Sequence, residues 1–197
     1  MKNTTDRKQQ SHDRIVDVAS RAIRRAGYHG VGVADLMKEA GLTHGGFYAH
    51  FASKDALLAE AVERAGRDSH ERLNERMAAR RAEGATALCA LVDTYLGQAH
   101  AEGTELGCPI AALVSEMPRQ SSEARSAFLA RVEGFITKVQ QALPAPAQRD
   151  TAEFVASTLI GALQLARSYG ADTSAGNRIL IQTRHMLIRQ FDREEGQ

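Results

Sequence analysis

Apolar residues recur along this chain at intervals of three and four, and no stretch alternates apolar and polar with turn signals at its ends. The pattern predicts helices throughout. Ile15, Val18, Ala19, Ala22, Ile23 and Ala26 form the first stripe, with Arg14, Asp17, Arg21, Arg24 and Arg25 facing outward. Ser11 suits the N-cap of that helix and Gly27 its stop, leaving residues 1–10 as a polar flexible arm. A short helix follows, with Leu36, Met37 and Ala40 inward, and it stops at Gly41. Leu42 plugs inward, Thr43 caps a further short helix ending near Phe51, and Ser53 caps a long one running toward Arg81.

Beyond Gly84 the helices lengthen. "ATALCALVDTYLGQAHAE" reads as one helix. Gly103 and Gly107 bracket a loop, and Pro109 opens a helix that Pro118 closes. Phe128, Val132, Phe135, Ile136, Val139 and Leu143 line the next, which Pro144-Ala145-Pro146 breaks. Two more are expected, near residues 150–169 and 174–191. The fold class is therefore all-α.

Three short helices with a tight turn, "AGLTH", between the second and third form a helix-turn-helix plan. In such a unit the last helix enters the major groove and its first residues meet base edges. Gly45-Gly46 weakens that helix, by about 1 kcal/mol per glycine relative to alanine. It also lets the backbone lie close to DNA, while Tyr48 offers a hydroxyl at phosphate height. Phe47 and Phe51, four apart, anchor the helix to the core. Charge adds to this picture. Net charge is only +1, yet residues 1–55 hold nine Lys and Arg against six Asp and Glu, with four histidines besides. A basic segment on a near-neutral body suits a polyanion partner.

Residues 27–58, "GYHGVGVADLMKEAGLTHGGFYAHFASKDALL", resemble the DNA-binding domain of TetR/AcrR-family transcriptional regulators. The specific match is Gly41-Leu42-Thr43, Phe47-Tyr48, His50-Phe51, Ser53-Lys54 and Leu57-Leu58. The resemblance implies a homodimer on a palindromic double-stranded DNA operator, repressing until a small-molecule effector enters the C-terminal half. It places phosphate contacts at Thr43, Tyr48 and Lys54, and base-facing positions at His44, Gly46 and Ala49. Gly45 and His50 lie in the same element, His50 packing or touching the DNA backbone. Two departures stand out: Gly32 where the family often has a capping Ser or Thr, and Ala49 where a larger polar residue is frequent. Base readout then leans on His44, on Ala49 against a thymine methyl, and on DNA shape. The plan divides the chain into residues 1–53, binding DNA, and 54–197, binding effector and dimerising.

The 43% hydrophobic composition is that of a chain that buries a core without metals or disulfides. Its two cysteines fit a reducing compartment, and no apolar run approaches a membrane span, so a cytoplasmic protein is expected. Catalytic motifs such as GxxxxGK, HExxH and GxSxG are missing, and His and Cys show no ligand spacing, so neither an enzyme nor a cofactor or metal is expected. A helical adaptor binding protein instead of DNA is the remaining class. An effector pocket is expected around Tyr95, Met117, Phe128, Phe135 and Gln164. Cys108, just before Pro109 at a helix start, offers a redox- or electrophile-sensing alternative beside its plain reading as a small buried hydrophobe. Wide apolar faces on the last two helices, including Leu159, Leu163, Ile181 and Ile188, are expected to build a four-helix dimer interface.

Overall fold

The computed structural model describes residues 4–145 and 148–192, and within them every regular element is helical. The first helix, α1 (Thr4–Ala26), buries Ile15, Val16, Ala19, Ala22 and Ile23. It starts well before Ser11, so residues 4–10 are helix and not flexible arm; residues 1–3 lie outside the described residues. The apolar stripe could not show this, because the extra turns are exposed and held locally. Asp6 complements the dipole in the first turn, and Gln9 donates to Asp13 one turn on at 2.9 Å. Once the buried turns nucleate the helix, extending it through polar residues costs little.

Arg24 departs from the outward face expected of it. It is only 4% exposed, donating through Nε to the Ser20 carbonyl at 2.8 Å and through Nη1 to the Gly107 carbonyl at 3.2 Å. Burial, then the nearby Arg72, pulls its pKa down to about 10. Its partner lies some eighty residues away in sequence, beyond the reach of helical periodicity. Ala26, expected inward, is exposed.

Helix α2 (Val33–Glu39) buries Leu36 and Met37 and ends in a Schellman motif. Gly41, at φ +70°, donates to the Lys38 carbonyl at 3.0 Å, and Leu42 donates to that of Met37 at 2.8 Å. Only glycine takes that backbone without strain, and it turns the chain sharply into the next element. That element, His44–Ala49, is a 3-10 turn rather than an α-helix. Six residues containing two glycines form too short and weak an α-helix, and the tighter winding suits short pieces.

Helix α3 (Lys54–Ala82) starts where Ser53 Oγ accepts from the Ala56 amide at 3.0 Å. Its first half packs on α1, and its length also lies against α4 (Ala87–Tyr95) and α7 (Ser122–Ala142). The single helix expected across residues 85–102 is broken at Gly97 into α4 and α5 (Gln98–Glu102). A Cβ at Gly97 would sit 2.8 Å from the Asp93 carbonyl oxygen, so the break depends on a glycine that a smooth helical pattern conceals. Helix α6 (Pro109–Leu113) is shorter than expected, giving way to a 3-10 turn at Met117–Arg119. Pro118 disfavours α conformation at Met117 and lacks the N–H a continued helix would need. Helix α7 ends at Ala142, before Pro144, with Pro146 outside the described residues. Helices α8 (Arg149–Tyr169) and α9 (Ser174–Phe191) pack extensively on each other. Among the described residues no helix is long and apolar enough to cross a membrane.

Candidate functional site

The turn after α2 presents its residues in two directions. Phe47 and Phe51 are buried with ring centroids 5.6 Å apart and fix the 3-10 segment to the core. Thr43, His44, Gly45 and Ala49 are exposed, Gly46 is half-buried, and Tyr48 is 72% exposed. Thr43 occupies the N-cap position in extended conformation but makes no capping bond, so its hydroxyl is not spent on the helix end. Gly32 likewise caps α2 without a side-chain bond.

Neither glycine of the pair is required by the chain itself. Both keep ordinary negative-φ backbone. A Cβ at Gly45 meets nothing within 4 Å, and one at Gly46 meets Met37 Cε and Thr43 Oγ1 at an ordinary 3.7 Å. The bare edge is open to something outside the fold.

Two expected site residues are partly engaged inward. Lys54 Nζ donates to the Tyr28 carbonyl at 3.2 Å, which holds the ammonium beside the turn. His50 is half-buried against Phe51 and His12, and burial, then His12 and Lys8, lowers its pKa. His12 was not legible as a site residue: it stacks on Phe51 at 4.5 Å and bonds Glu60 at 2.7 Å, tying α1 to α3 beneath the turn. Only its tertiary position reveals this.

A cavity of about 230 Å³ lies among α3, α4, α6 and α7. Of the expected pocket residues, Tyr95, Phe135 and Cys108 line it, the two rings stacked at 4.9 Å. Met117 and Phe128 are packed in the core away from it, and Gln164 Nε2 donates to the Ala111 carbonyl at 2.9 Å. His100, which no motif marks, also lines it. The Cys108 amide donates to His100 Nε2 at 3.0 Å, so Nδ1 carries the proton and donates to the Tyr95 carbonyl at 2.6 Å. Burial holds this neutral ring's pKa down to about 4 against the favourable bond to Tyr95.

The loop between α5 and α6 is a wall of this cavity and also a seat for α1. Gly103, Leu106 and Gly107 line the cavity. Arg24 holds the Gly107 carbonyl, Arg25 pairs with Glu105 at 3.0 Å, and the Tyr28 amide donates to Glu116 beyond α6 at 3.0 Å.

Leu159 and Leu163, expected at a dimer interface, are fully buried in the chain's own core, so they have no surface left for a partner. Their helical spacing marked an apolar face correctly but could not say which of two apolar faces meets the chain's other helices. The exposed apolar residues of α8 are Phe154, Leu165 and Tyr169, spaced on one stripe with Gly161 between. On α9 Ile181 and Met186 are exposed and Ile188 is half-buried.

Residues 15–61 match the family described as bacterial regulatory proteins, tetR family. The chain is 30% identical over 195 residues to an HTH-type transcriptional regulator of Mycobacterium tuberculosis, Rv0196, covering 93% of this chain and 97% of that one. It is 32% identical over 117 residues to the HTH-type transcriptional repressor NemR of Escherichia coli, 59% of each chain. The fold agrees with solved structures: reduced NemR of Escherichia coli, with TM-score 0.71, 22% identity and coverage of 89% and 96%, and a TetR-family regulator of Agrobacterium tumefaciens, with 0.73, 24%, 92% and 98%. With its Schellman turn, exposed Tyr48 and matching sequence, this chain belongs to the TetR family of DNA-binding transcriptional regulators.

Proposed function

We propose that the protein represses transcription as a homodimer on a palindromic operator and leaves DNA when a small molecule fills the cavity behind Tyr95 and Phe135. In this reading residues 1–53 bind DNA and residues 54–197 bind the effector and dimerise. The observation that carries it is the shared loop: the wall at Gly103–Gly107 is hydrogen-bonded to α1 through Arg24. A ligand that shifts this wall shifts the seat of the DNA-binding unit, and the long α3 continues from that unit into the cavity lining. The change must rest on different ligand affinities for the two positions. The exposed stripe of Phe154, Leu165 and Tyr169 with Ile181 supplies the dimer face in place of Leu159 and Leu163.

Selection of bound DNA from a random pool tests the reading. Recovery of a palindrome with half-sites about one helical turn apart is expected. Recovery of no motif, or of a single half-site by a monomer, would overturn it. On the selected operator, Tyr48→Phe is expected to weaken binding about fivefold at every sequence, the scale of one hydrogen bond. Thermal stability should not change, because the Tyr48 side chain is largely in solvent. Lys54→Ala should also weaken binding and flatten the salt dependence. His44→Ala should alter preference at one base pair only.

Cys108 supports a second way of switching, because the residue lines the cavity. An electrophile entering there would then release DNA from the wild type and not from Cys108→Ser. Equal release from both proteins removes this reading.

A further inference from the structure

The cavity wall has an unbalanced charge. Arg72, Arg76, Arg131 and Lys138 line it, and no Asp or Glu does. Among the described residues none of these four cations pairs with a carboxylate. Two of them bond neutral groups: Arg72 donates to the Leu106 carbonyl at 3.0 Å, and Lys138 to Asn74 Oδ1 at 2.7 Å. Meanwhile the Nε–H groups of Arg72 and Arg131 are buried without an acceptor, as is the Thr94 hydroxyl. The Tyr95 hydroxyl makes no well-formed hydrogen bond either, although the Cys108 thiol is near it. Buried donors are rarely left unsatisfied, because each then forfeits the bonds it would make to water. Cations without paired carboxylates give the cavity wall a positive potential that favours an anionic guest.

The rest of the wall is apolar, led by the stacked Tyr95–Phe135 pair and Ile110. Size suits a small guest. About 150 Å³ accommodates benzene in an apolar cavity, and the volume here is about 230 Å³. One ring with a short charged substituent fits this volume. Gly66 has a part in this design, because a Cβ there would collide with Arg131 Cδ. The glycine lets the Arg131 stem lie flat on α3. Across from it, Gly134 lines the cavity and a Cβ there would meet nothing within 4 Å.

We propose that the cavity takes a small single-ring aromatic carboxylate, its ring against Tyr95 and Phe135 and its carboxylate paired with the guanidinium groups of Arg72 and Arg131. The charge of Arg76 and Lys138 adds attraction without fixing orientation. This rests on the cavity being the effector site, and it names the class of effector. A neutral analogue loses the charge-assisted bonds, and a cation of the same size meets four like charges.

Benzoate, benzamide and phenyltrimethylammonium are suitable probes on the full-length protein, read by calorimetric titration and by release of the selected operator. Benzoate is expected to bind at least tenfold more tightly than benzamide, with phenyltrimethylammonium not binding. Arg131→Gln should lower benzoate affinity tenfold or more while leaving benzamide unchanged. Gly134→Leu, whose Cβ enters open space, should abolish binding of both with a melting temperature that holds or rises. Equal binding of benzoate and benzamide, tighter binding of the cation, or benzoate binding that survives Gly134→Leu would overturn the class assignment. The absence of benzoate binding would do the same. Benzoate binding that is lost in both variants but leaves operator affinity untouched supports the ligand class and instead refutes release through this cavity.

Discussion

Gly45→Leu is expected to fold as stably as the wild type and to bind the operator about a hundredfold more weakly. The two halves of this expectation come from different observations. Inside the chain, position 45 has ordinary backbone and open space where a side chain would go. Leucine is also the better helix former, so thermal stability should hold or rise by up to about 1 kcal/mol. Outside the chain, the residue is at the start of the element that the helix-turn-helix plan directs into the major groove. A leucine side chain there holds the backbone off the DNA and strips nearby contacts. The loss should amount to about 2–3 kcal/mol, similar to one or two mismatched base pairs. Fluorescence anisotropy on the selected operator, with a melting curve beside it, checks both halves. Undiminished binding would mean that this edge does not approach DNA.

Acid should destabilise the protein through His100 before its carboxylates titrate fully. The sign follows from the pKa. The folded value is about 4, below the ordinary 6.5, so between these values the unfolded chain holds the extra proton. Stability from the neutral ring is therefore complete above pH 6.5 and is lost as pH falls toward 4. The shift corresponds to roughly 2–3 kcal/mol between pH 7 and pH 4.5. His50 and His70, both also lowered by burial, add in the same direction. Comparing urea unfolding of wild type and His100→Gln at the two pH values isolates the contribution. The variant should be weaker at pH 7 yet show a clearly smaller drop on acidification. Equal drops would place the acid sensitivity elsewhere.

The DNA-binding unit was readable because its signals are local. A glycine after a periodic stretch, a buried Leu–Met pair and aromatics four apart declare a turn and an anchored element within about twenty residues. What escaped was whatever depends on a distant partner. Arg24 reads as a surface residue until the Gly107 carbonyl arrives from the far loop. His12 and His100 carry no motif, and their roles come from Phe51 and from the Cys108 amide. Periodicity found the apolar faces of α8 and α9 but not their allocation, so Leu159 and Leu163 went to the core and Phe154 and Tyr169 to the surface. Half the expected pocket set reached the cavity, because a core stripe and a cavity wall have the same composition. The cations lining it come from two helices, α3 and α7, whose pairing the sequence does not announce.

The bond from Arg24 to the Gly107 carbonyl has a thermodynamic counterpart. If ligand in the cavity weakens DNA binding by some factor through that bond, DNA must weaken the ligand by the same factor. Protein already on its operator is then the least sensitive detector in the cell, and free protein the most sensitive. At ligand levels between the two affinities, free protein would be occupied before operator-bound protein. Affinities measured on free protein alone would overstate the response of the occupied promoter.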